Sequence, residues 1–148
     1  MDDGIRNIRV TDYREIYALN QAFNPRLDAF SETQVKERIE SLLKKDRDIV
    51  FVYEQDDEVV GYIHGSPYEL LFSESLVNVL GFVVKESHRN QGIGSRLIDR
   101  LEAWSRDNGY FGMKLLTHPN RIDAHRFYEN RGYVFTKDQK NYVKNLRD

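Results

Sequence analysis

The chain has 148 residues, of which 40% are hydrophobic and 31% charged, and its formal net charge is −2 at pH 7. These values are ordinary for one globular domain; the small charge favours neither nucleic acid nor anionic lipid, and no apolar run approaches the ~20 residues of a membrane span. Because the chain has no cysteine, disulfides, thiolate metal sites and cysteine nucleophiles are excluded, and we expect a cytoplasmic location.

The hydrophobic pattern alternates along the chain between the period of 3.6 that is typical of helices and the period of two that is typical of strands. Capping-box patterns at Asp12 with Glu15 and at Ser31 with Gln34 predict the starts of two helices. The other predicted elements are strands at Ile5–Val10, Asp48–Gln55, Val59–Ser66, Leu76–Val84 and Met113–Thr117, helices at Gly94–Asp107 and Asp123–Asn130, and a closing hairpin of Tyr133–Thr136 with Tyr142–Lys144. The near-continuous apolar run of Leu76–Val84 predicts a strand that is covered on both faces.

Two glycines stand between this buried strand and the helix that follows it. A helix amino terminus presents unpaired N–H groups and the positive end of the helix dipole, and glycine lets a ligand approach the backbone closely. Gly92 and Gly94 occupy that place together with the Ser95 hydroxyl and the Arg89 charge. The expected ligand is therefore a phosphate or a pyrophosphate.

Two familiar glycine motifs do not fit this stretch. The Walker A motif requires Lys-Ser/Thr after its last glycine, but Gly94 is followed by Ser95-Arg96. The dinucleotide fingerprint requires a third small residue where Leu97 stands, and an acid about 20 residues further on, where the chain reads MKLLT. A nucleotide-binding switch domain is therefore disfavoured, and the remaining pattern is Arg89-x-x-Gly92-x-Gly94 after a buried strand.

This pattern has two companions in the chain: Gly81-Phe82-Val83-Val84 precedes it, and Ala124-x-x-Phe127-Tyr128-x-x-x-Gly132-Tyr133 follows it. Together they resemble the GCN5-related N-acetyltransferases (GNAT family), over the whole chain in element order and most sharply over residues 76–135. The resemblance implies one acyl-CoA N-acyltransferase domain over residues 1–148. Its fold class would be α/β (α+β), with a mixed, mostly antiparallel sheet of six to seven strands and about four helices.

The resemblance also implies an acetyl-CoA site. The backbone of the strand before the glycine loop would bond the pantetheine arm, an amide near Val83 would stabilise the oxyanion, and Tyr128 would protonate the departing thiolate. The implied cofactor-binding residues are Phe82, Val83, Val84, Arg89, Asn90, Gln91, Gly92, Ile93, Gly94, Ser95, Asn120, Ala124, Phe127 and Tyr128.

Two of these assignments have alternatives. Helix spacing alone favours Phe127 and Tyr128 as core aromatics on an amphipathic helix. The family often has an asparagine three residues before the motif alanine, where this chain has Arg121, while Asn120 stands one place off. Either side chain is therefore a candidate for the contact with the cofactor.

The strand in which some family members carry a catalytic base has no carboxylate here. The remaining candidates are Glu69, Glu74, His64 and His118, and each also fits a solvated or structural role. Without cysteine no acyl-cysteine relay can form, so the acetyl group would pass directly from acetyl-CoA to the acceptor in a ternary complex. The four histidines lack metal-ligand spacing, so no metal is expected.

Residues 23–30 and 66–74 would line the acceptor side by family analogy, and their acids Asp28, Glu69 and Glu74 suit a cationic amine. We therefore expect an N-acetyltransferase acting on a primary amine, either a small molecule or a peptide, with no nucleic-acid or membrane partner. A homodimer is left open. The alternative function is a non-catalytic acyl-CoA-binding regulatory domain, since no base is evident.

Overall fold

The structure, a computed structural model, describes residues 3–25 and 30–147. The chain divides into two units, Met1–Leu115 and Leu116–Asp148. The first unit contains, in chain order, β1 (Ile5–Asn7), α1 (Tyr13–Phe23), α2 (Glu32–Lys45), β2 (Ile49–Gln55), β3 (Glu58–Tyr68), β4 (Leu76–Val84), α3 (Ile93–Asp107) and β5 (Gly112–Lys114). The second unit contains α4 (Ile122–Asn130).

The five strands form one sheet in which their spatial order follows their order in the chain. Neighbouring strands are antiparallel except for β4 and β5, which are parallel. The described residues therefore form an α+β fold with a mixed, mostly antiparallel sheet and four α-helices, as expected. The prediction of six to seven strands is wrong, because the described chain has five.

The difference arises at the carboxyl terminus, where Tyr133–Thr136 and Tyr142–Lys144 were predicted to pair. Residues 133–147 contain no helix or strand. An isolated two-stranded hairpin is marginally stable in water and needs further strands or a packed apolar face. Here the side chains of Phe135 and Val143 are 70% and 87% exposed. Apolar and polar residues therefore alternate in this part of the sequence, but the apolar side chains are not buried.

The sheet is covered on both faces, as the apolar run of β4 predicts. On one face, α1 and α2 pack on the sheet through a buried cluster of Ile8, Ile16, Leu19, Val35, Ile39, Val50, Val52, Val59 and Val83. On the other face lies α3, whose Leu97, Ile98 and Leu101 are fully buried. This helix lies so close that a Cβ on Gly65 of β3 would come within 2.8 Å of Leu101 Cδ1.

The two predicted capping boxes have opposite outcomes. At α2 the box is formed, because Ser31 Oγ accepts from the Gln34 N–H at 3.2 Å and the Ser31 N–H donates to Gln34 Oε1 at 2.7 Å. The box of Asp12 with Glu15 is wrong. The Asp12 carboxylate instead forms a two-pronged ion pair with Arg6 at 2.9 and 3.0 Å, and Glu15 accepts the Val59 N–H of β3.

No helix among the described residues is both long enough and apolar enough to span a bilayer.

Candidate active site

The loop after β4 leads into α3 through left-handed backbone. Asn90 has φ +65° and Gly92, the residue that caps the helix, has φ +82°. The first turn closes with the Arg96 N–H donating to the Gly92 carbonyl at 3.0 Å. Arg96 is the first residue whose N–H is bonded within the helix, so the N–H groups of residues 93–95 have no acceptor in the helix itself.

The space in front of Gly92 is open. A Cβ built on this residue would meet no protein atom within 4 Å, and residues 89–92 are all exposed. Arg89 donates from Nε to the Val84 carbonyl at 3.3 Å, which ties the loop to the end of β4. The amides, the helix dipole and this guanidinium together give the loop a positive electrostatic character that favours an anion.

β4 parts from β5 partway along its length. The two strands pair over three residue pairs, ending at Asn78 with Lys114, whereas the pairing of β4 with β3 continues to Val84. Beyond Asn78, one edge of β4 is therefore not paired with β5. A strand edge of this kind offers N–H and C=O groups to an extended ligand.

A β-bulge lies at the point of divergence. His64 of β3 pairs with Gly81 and Gly65 pairs with Val79, so Leu80 is the extra residue of β4. Gly81 lies directly beside this extra residue. A side chain at this position would be crowded, since its Cβ would lie 3.3 Å from Tyr62 Oη.

The register decides which amides of β4 face the unpaired edge. The Lys85 N–H donates to the Val60 carbonyl of β3 at 2.7 Å, and backbone groups alternate sides along a strand. The Val83 amide consequently faces β3, while Phe82 and Val84 face the other edge, as the Arg89 bond to Val84 also shows. The Val83 side chain is buried in the core under α1 and α2.

The second unit, taken by itself, contains the remaining implied cofactor residues, Asn120, Ala124, Phe127 and Tyr128. Asn120 is exposed just before α4. The Tyr128 ring makes edge-to-face contacts with Phe127 and Tyr133 at 5.4 and 6.0 Å between centroids. Burial raises the pKa of the Tyr128 hydroxyl, and the Arg121 charge opposes that rise. The hydroxyl is therefore protonated at neutral pH and suits a proton donor.

Three of the four candidate bases have unsuitable surroundings. Glu69 is 55% exposed and lies 3.7 Å from the Arg47 guanidinium. Glu74 and His118 are both exposed. Asp28, the third acid assigned to the acceptor side, lies outside the described residues. Within residues 3–25 and 30–147, none of Glu69, Glu74 and His118 has a partner that would orient it as a base.

His64 differs, because its Nε2 lies 2.8 Å from Asp48 Oδ2. The partner, Asp48, was not singled out from the sequence. It stands one residue before β2, and only the pairing of β2 with β3, in which Val50 faces His64, brings the two together. Among the described residues, no three His, Asp or Glu side chains group as a potential metal site.

Comparison with known proteins identifies the fold. An aminoglycoside N-acetyltransferase AAC(6')-Iy in complex with CoA superposes with a TM-score of 0.82 at 21% identity, over 95% of this chain and 93% of that one. A transcriptional regulator from Bacillus halodurans C-125 gives 0.84 at 20% identity, over 95% and 98%. An aminoglycoside 6'-N-acetyltransferase AAC(6')-IG from Acinetobacter haemolyticus gives 0.79 at 16%, over 99% and 100%.

A search of curated proteins by sequence finds no significant match. The profile of the Acetyltransferase (GNAT) family, however, matches residues 10–133. This range includes the four α-helices and every strand of the sheet except β1. The chain therefore belongs to the GNAT acetyltransferase family.

Proposed function

We propose that the protein is an acetyl-CoA-dependent N-acetyltransferase that acetylates a primary amine. The observation that carries this proposal is that β4 stops pairing with β5 after Asn78 and is followed by the glycine loop, where the space in front of Gly92 is open. In this proposal β4 gives strand hydrogen bonds to an extended arm, and the first amides of α3 bind a pyrophosphate. The CoA complex of the similar aminoglycoside acetyltransferase supports this assignment.

In this proposal the loop residues Arg89, Asn90, Gln91, Gly92, Ile93, Gly94 and Ser95 hold the pyrophosphate, and β4 holds the pantetheine arm. The oxyanion role moves from the Val83 amide to the Val84 amide, because Val84 faces the edge of β4 that lies away from β3. Asn120, Ala124, Phe127 and Tyr128 keep the roles that the family resemblance implies. One catalytic domain over residues 1–148 and a cytoplasmic location remain expectations from the sequence.

In this proposal the acetyl group passes directly from acetyl-CoA to the amine. The acceptor nitrogen attacks the thioester carbon, the carbonyl oxygen gains the charge that a β4 amide stabilises, and the carbon–sulfur bond then breaks. Tyr128 supplies a proton to the departing sulfur. Since the chain has no cysteine, no thiol can carry the acetyl group between the two substrates, and we propose a ternary complex without a metal.

Incubation with acetyl-CoA and a panel of polyamines, aminoglycosides, amino acids and peptides tests this function. We expect release of free CoA thiol that depends on the added amine, with a preference for cationic acceptors. Binding of CoA without amine-dependent thiol release would favour the non-catalytic acyl-CoA-binding alternative. Failure to bind CoA would overturn both functions.

We also propose that two copies associate through the carboxyl-terminal arm, residues 133–147. Five of its six large apolar side chains, Val134, Phe135, Tyr142, Val143 and Leu146, are each 70–87% exposed. At roughly 120 to 200 Å² per large apolar side chain, two arms would bury about 1,200 Å² or more, which lies within the range of stable interfaces. A second copy supplies this surface and its matching arm by symmetry.

Light scattering after size exclusion measures this association. We expect a mass about twice the 17.5 kDa of one chain, and Phe135→Asp should shift the mass toward the monomer because it places a charge in the buried contact. Phe72→Asp is the matched control, since Phe72 is 84% exposed in the first unit and should leave the mass unchanged. A wild-type monomer at high concentration would contradict the proposal.

A further inference from the structure

The side chains of His64, Asp48 and Ser66 form a hydrogen-bonded group on the sheet. His64 Nε2 lies 2.8 Å from Asp48 Oδ2, and the Ser66 hydroxyl donates to Asp48 Oδ1 at 2.7 Å. The side chains of His64 and Asp48 are 21% and 13% exposed. Both carboxylate oxygens are thus engaged, and the acid is held in a fixed orientation.

These contacts fix the tautomer of His64. A carboxylate only accepts hydrogen bonds, so the proton of the neutral imidazole lies on Nε2, and Nδ1 keeps its lone pair. Nδ1 makes no hydrogen bond to another described residue. A histidine with one nitrogen bonded to a carboxylate and the other open is the arrangement of an oriented base, because the carboxylate also stabilises the imidazolium that forms.

The register places this group beside the bulge. His64 pairs with Gly81, and its side chain shares a face with Tyr62 and Ser66, two residues away on either side. Along β3 the apolar residues of that face end at Tyr62, whose hydroxyl donates to Asn20 of α1 at 2.7 Å, although Val50 of β2, which pairs with His64, is still part of the buried cluster. The polar side chains therefore begin where β4 leaves β5, about one strand spacing, roughly 5 Å, from the unpaired edge.

We propose that His64, positioned by Asp48, accepts the proton of the acceptor ammonium in this reaction. This inference rests on the proposed acetyltransferase function. His64 Nδ1 takes one proton from R–NH3⁺, directly or through one water, and later releases it to solvent. The neutral amine then forms the C–N bond, and the C–S bond breaks. The nitrogen loses a second proton as the amide forms, and the departing sulfur gains one proton, so the reaction balances.

Several elements bring charged or titratable groups to the face of the sheet that carries His64. They include Asp48 before β2, Tyr62 and Tyr68 on β3, Tyr13 and Tyr17 on α1, and Lys114 on β5, which lies 5.1 Å from the Tyr68 ring centroid. Burial raises the pKa of Tyr62 to about 12, so Tyr62 stays neutral at neutral pH. Asp48 is therefore the charge in direct contact with the imidazole.

His64→Gln tests the proposal, because glutamine keeps a donor for Asp48 but has no basic nitrogen. We expect kcat to fall about a hundredfold while the Kd for CoA stays unchanged. In the wild type, kcat/KM for the amine should fall at low pH, because a base that already carries a proton cannot accept another. In the variant this acid limb of the pH profile should lose the part that the base contributes and keep only the part that comes from the amine itself.

Two further measurements separate chemistry from folding. His64→Ala should regain turnover when free imidazole is added, which a purely structural histidine would not show. Long-range ¹H–¹⁵N spectra of the wild type should show the Nε2–H tautomer, and Asp48→Asn should alter it.

An unchanged kcat and acid limb in His64→Gln would overturn the inference and leave the acetyltransferase function standing. A loss in His118→Gln without a loss in His64→Gln would overturn it in favour of His118. Absence of turnover by the wild type with every amine would overturn the proposed function and this inference together.

Discussion

Gly92→Val is expected to raise the Kd for CoA about a hundredfold, which corresponds to about 2.7 kcal/mol of binding free energy. Gly92 caps α3 with φ +82°, and the space in front of its Cα is free of protein atoms within 4 Å. In the proposed site the pyrophosphate fills that space. A branched side chain would push the phosphate away from the amides of residues 93–95, and isothermal titration calorimetry measures the loss.

Valine at a left-handed position also strains the backbone, at a cost of roughly 1–2 kcal/mol in folding free energy. Gly109→Val controls for this strain. Gly109 follows the carboxyl end of α3 with φ +80°, and a Cβ there also meets no atom within 4 Å. Both variants should lose similar thermal stability, but only Gly92→Val should lose CoA affinity. An equal Kd in the two variants would place the phosphate site elsewhere.

The elements that could be predicted from the sequence are those whose signal is local. β4 has its predicted bounds, Leu76–Val84, because burial on both faces leaves an almost continuous apolar run between polar flanks. The start of α2 was predicted because the Ser31 box joins residues three apart. The glycines before α3 are a local signal of the same kind, and Gly92 has the left-handed backbone that caps the helix, whereas the phosphate site proposed there stays a prediction.

The predictions that failed depend on contacts between residues far apart in the chain. Asp12 matches a capping pattern, yet Arg6 and the Arg9 amide occupy its carboxylate, and Glu15 is bonded to the amide of Val59, 44 residues away. The carboxyl-terminal hairpin had the right alternation but has no packed face in its own unit. Alternation indicates how a strand would be oriented if it paired, and cannot by itself supply the partner.

The candidate site shows the same limit at finer scale. The family resemblance implied an oxyanion amide near Val83. The bond from Lys85 to Val60 shows that the Val83 amide faces β3, whereas the Val84 amide faces the other edge of β4. His64 appeared from the sequence as one of four equal candidates. Its distinction comes from Asp48, sixteen residues earlier, through the register of β2 on β3.

Tyr128→Phe is expected to lower kcat about a hundredfold, within the range usual for loss of a general acid, while the Kd for CoA stays nearly unchanged. The hydroxyl is the only group removed, and a thiolate already leaves acceptably, so a larger effect is not expected. Burial raises the pKa of Tyr128, so the donor stays protonated through neutral and mildly alkaline pH. Stopped-flow or steady-state assay of thiol release measures kcat directly.

Tyr133→Phe is the matched control, since it also removes one tyrosine hydroxyl from the second unit and keeps the edge-to-face contact with Tyr128. This variant should retain wild-type kcat. Because Tyr128 would act on the leaving group, an acyl donor whose thiol has a lower pKa than CoA should reduce the effect of Tyr128→Phe. If kcat in Tyr128→Phe equals that of Tyr133→Phe with every donor, the thiolate departs without assistance, and the Tyr128 ring serves only to pack against Phe127 and Tyr133.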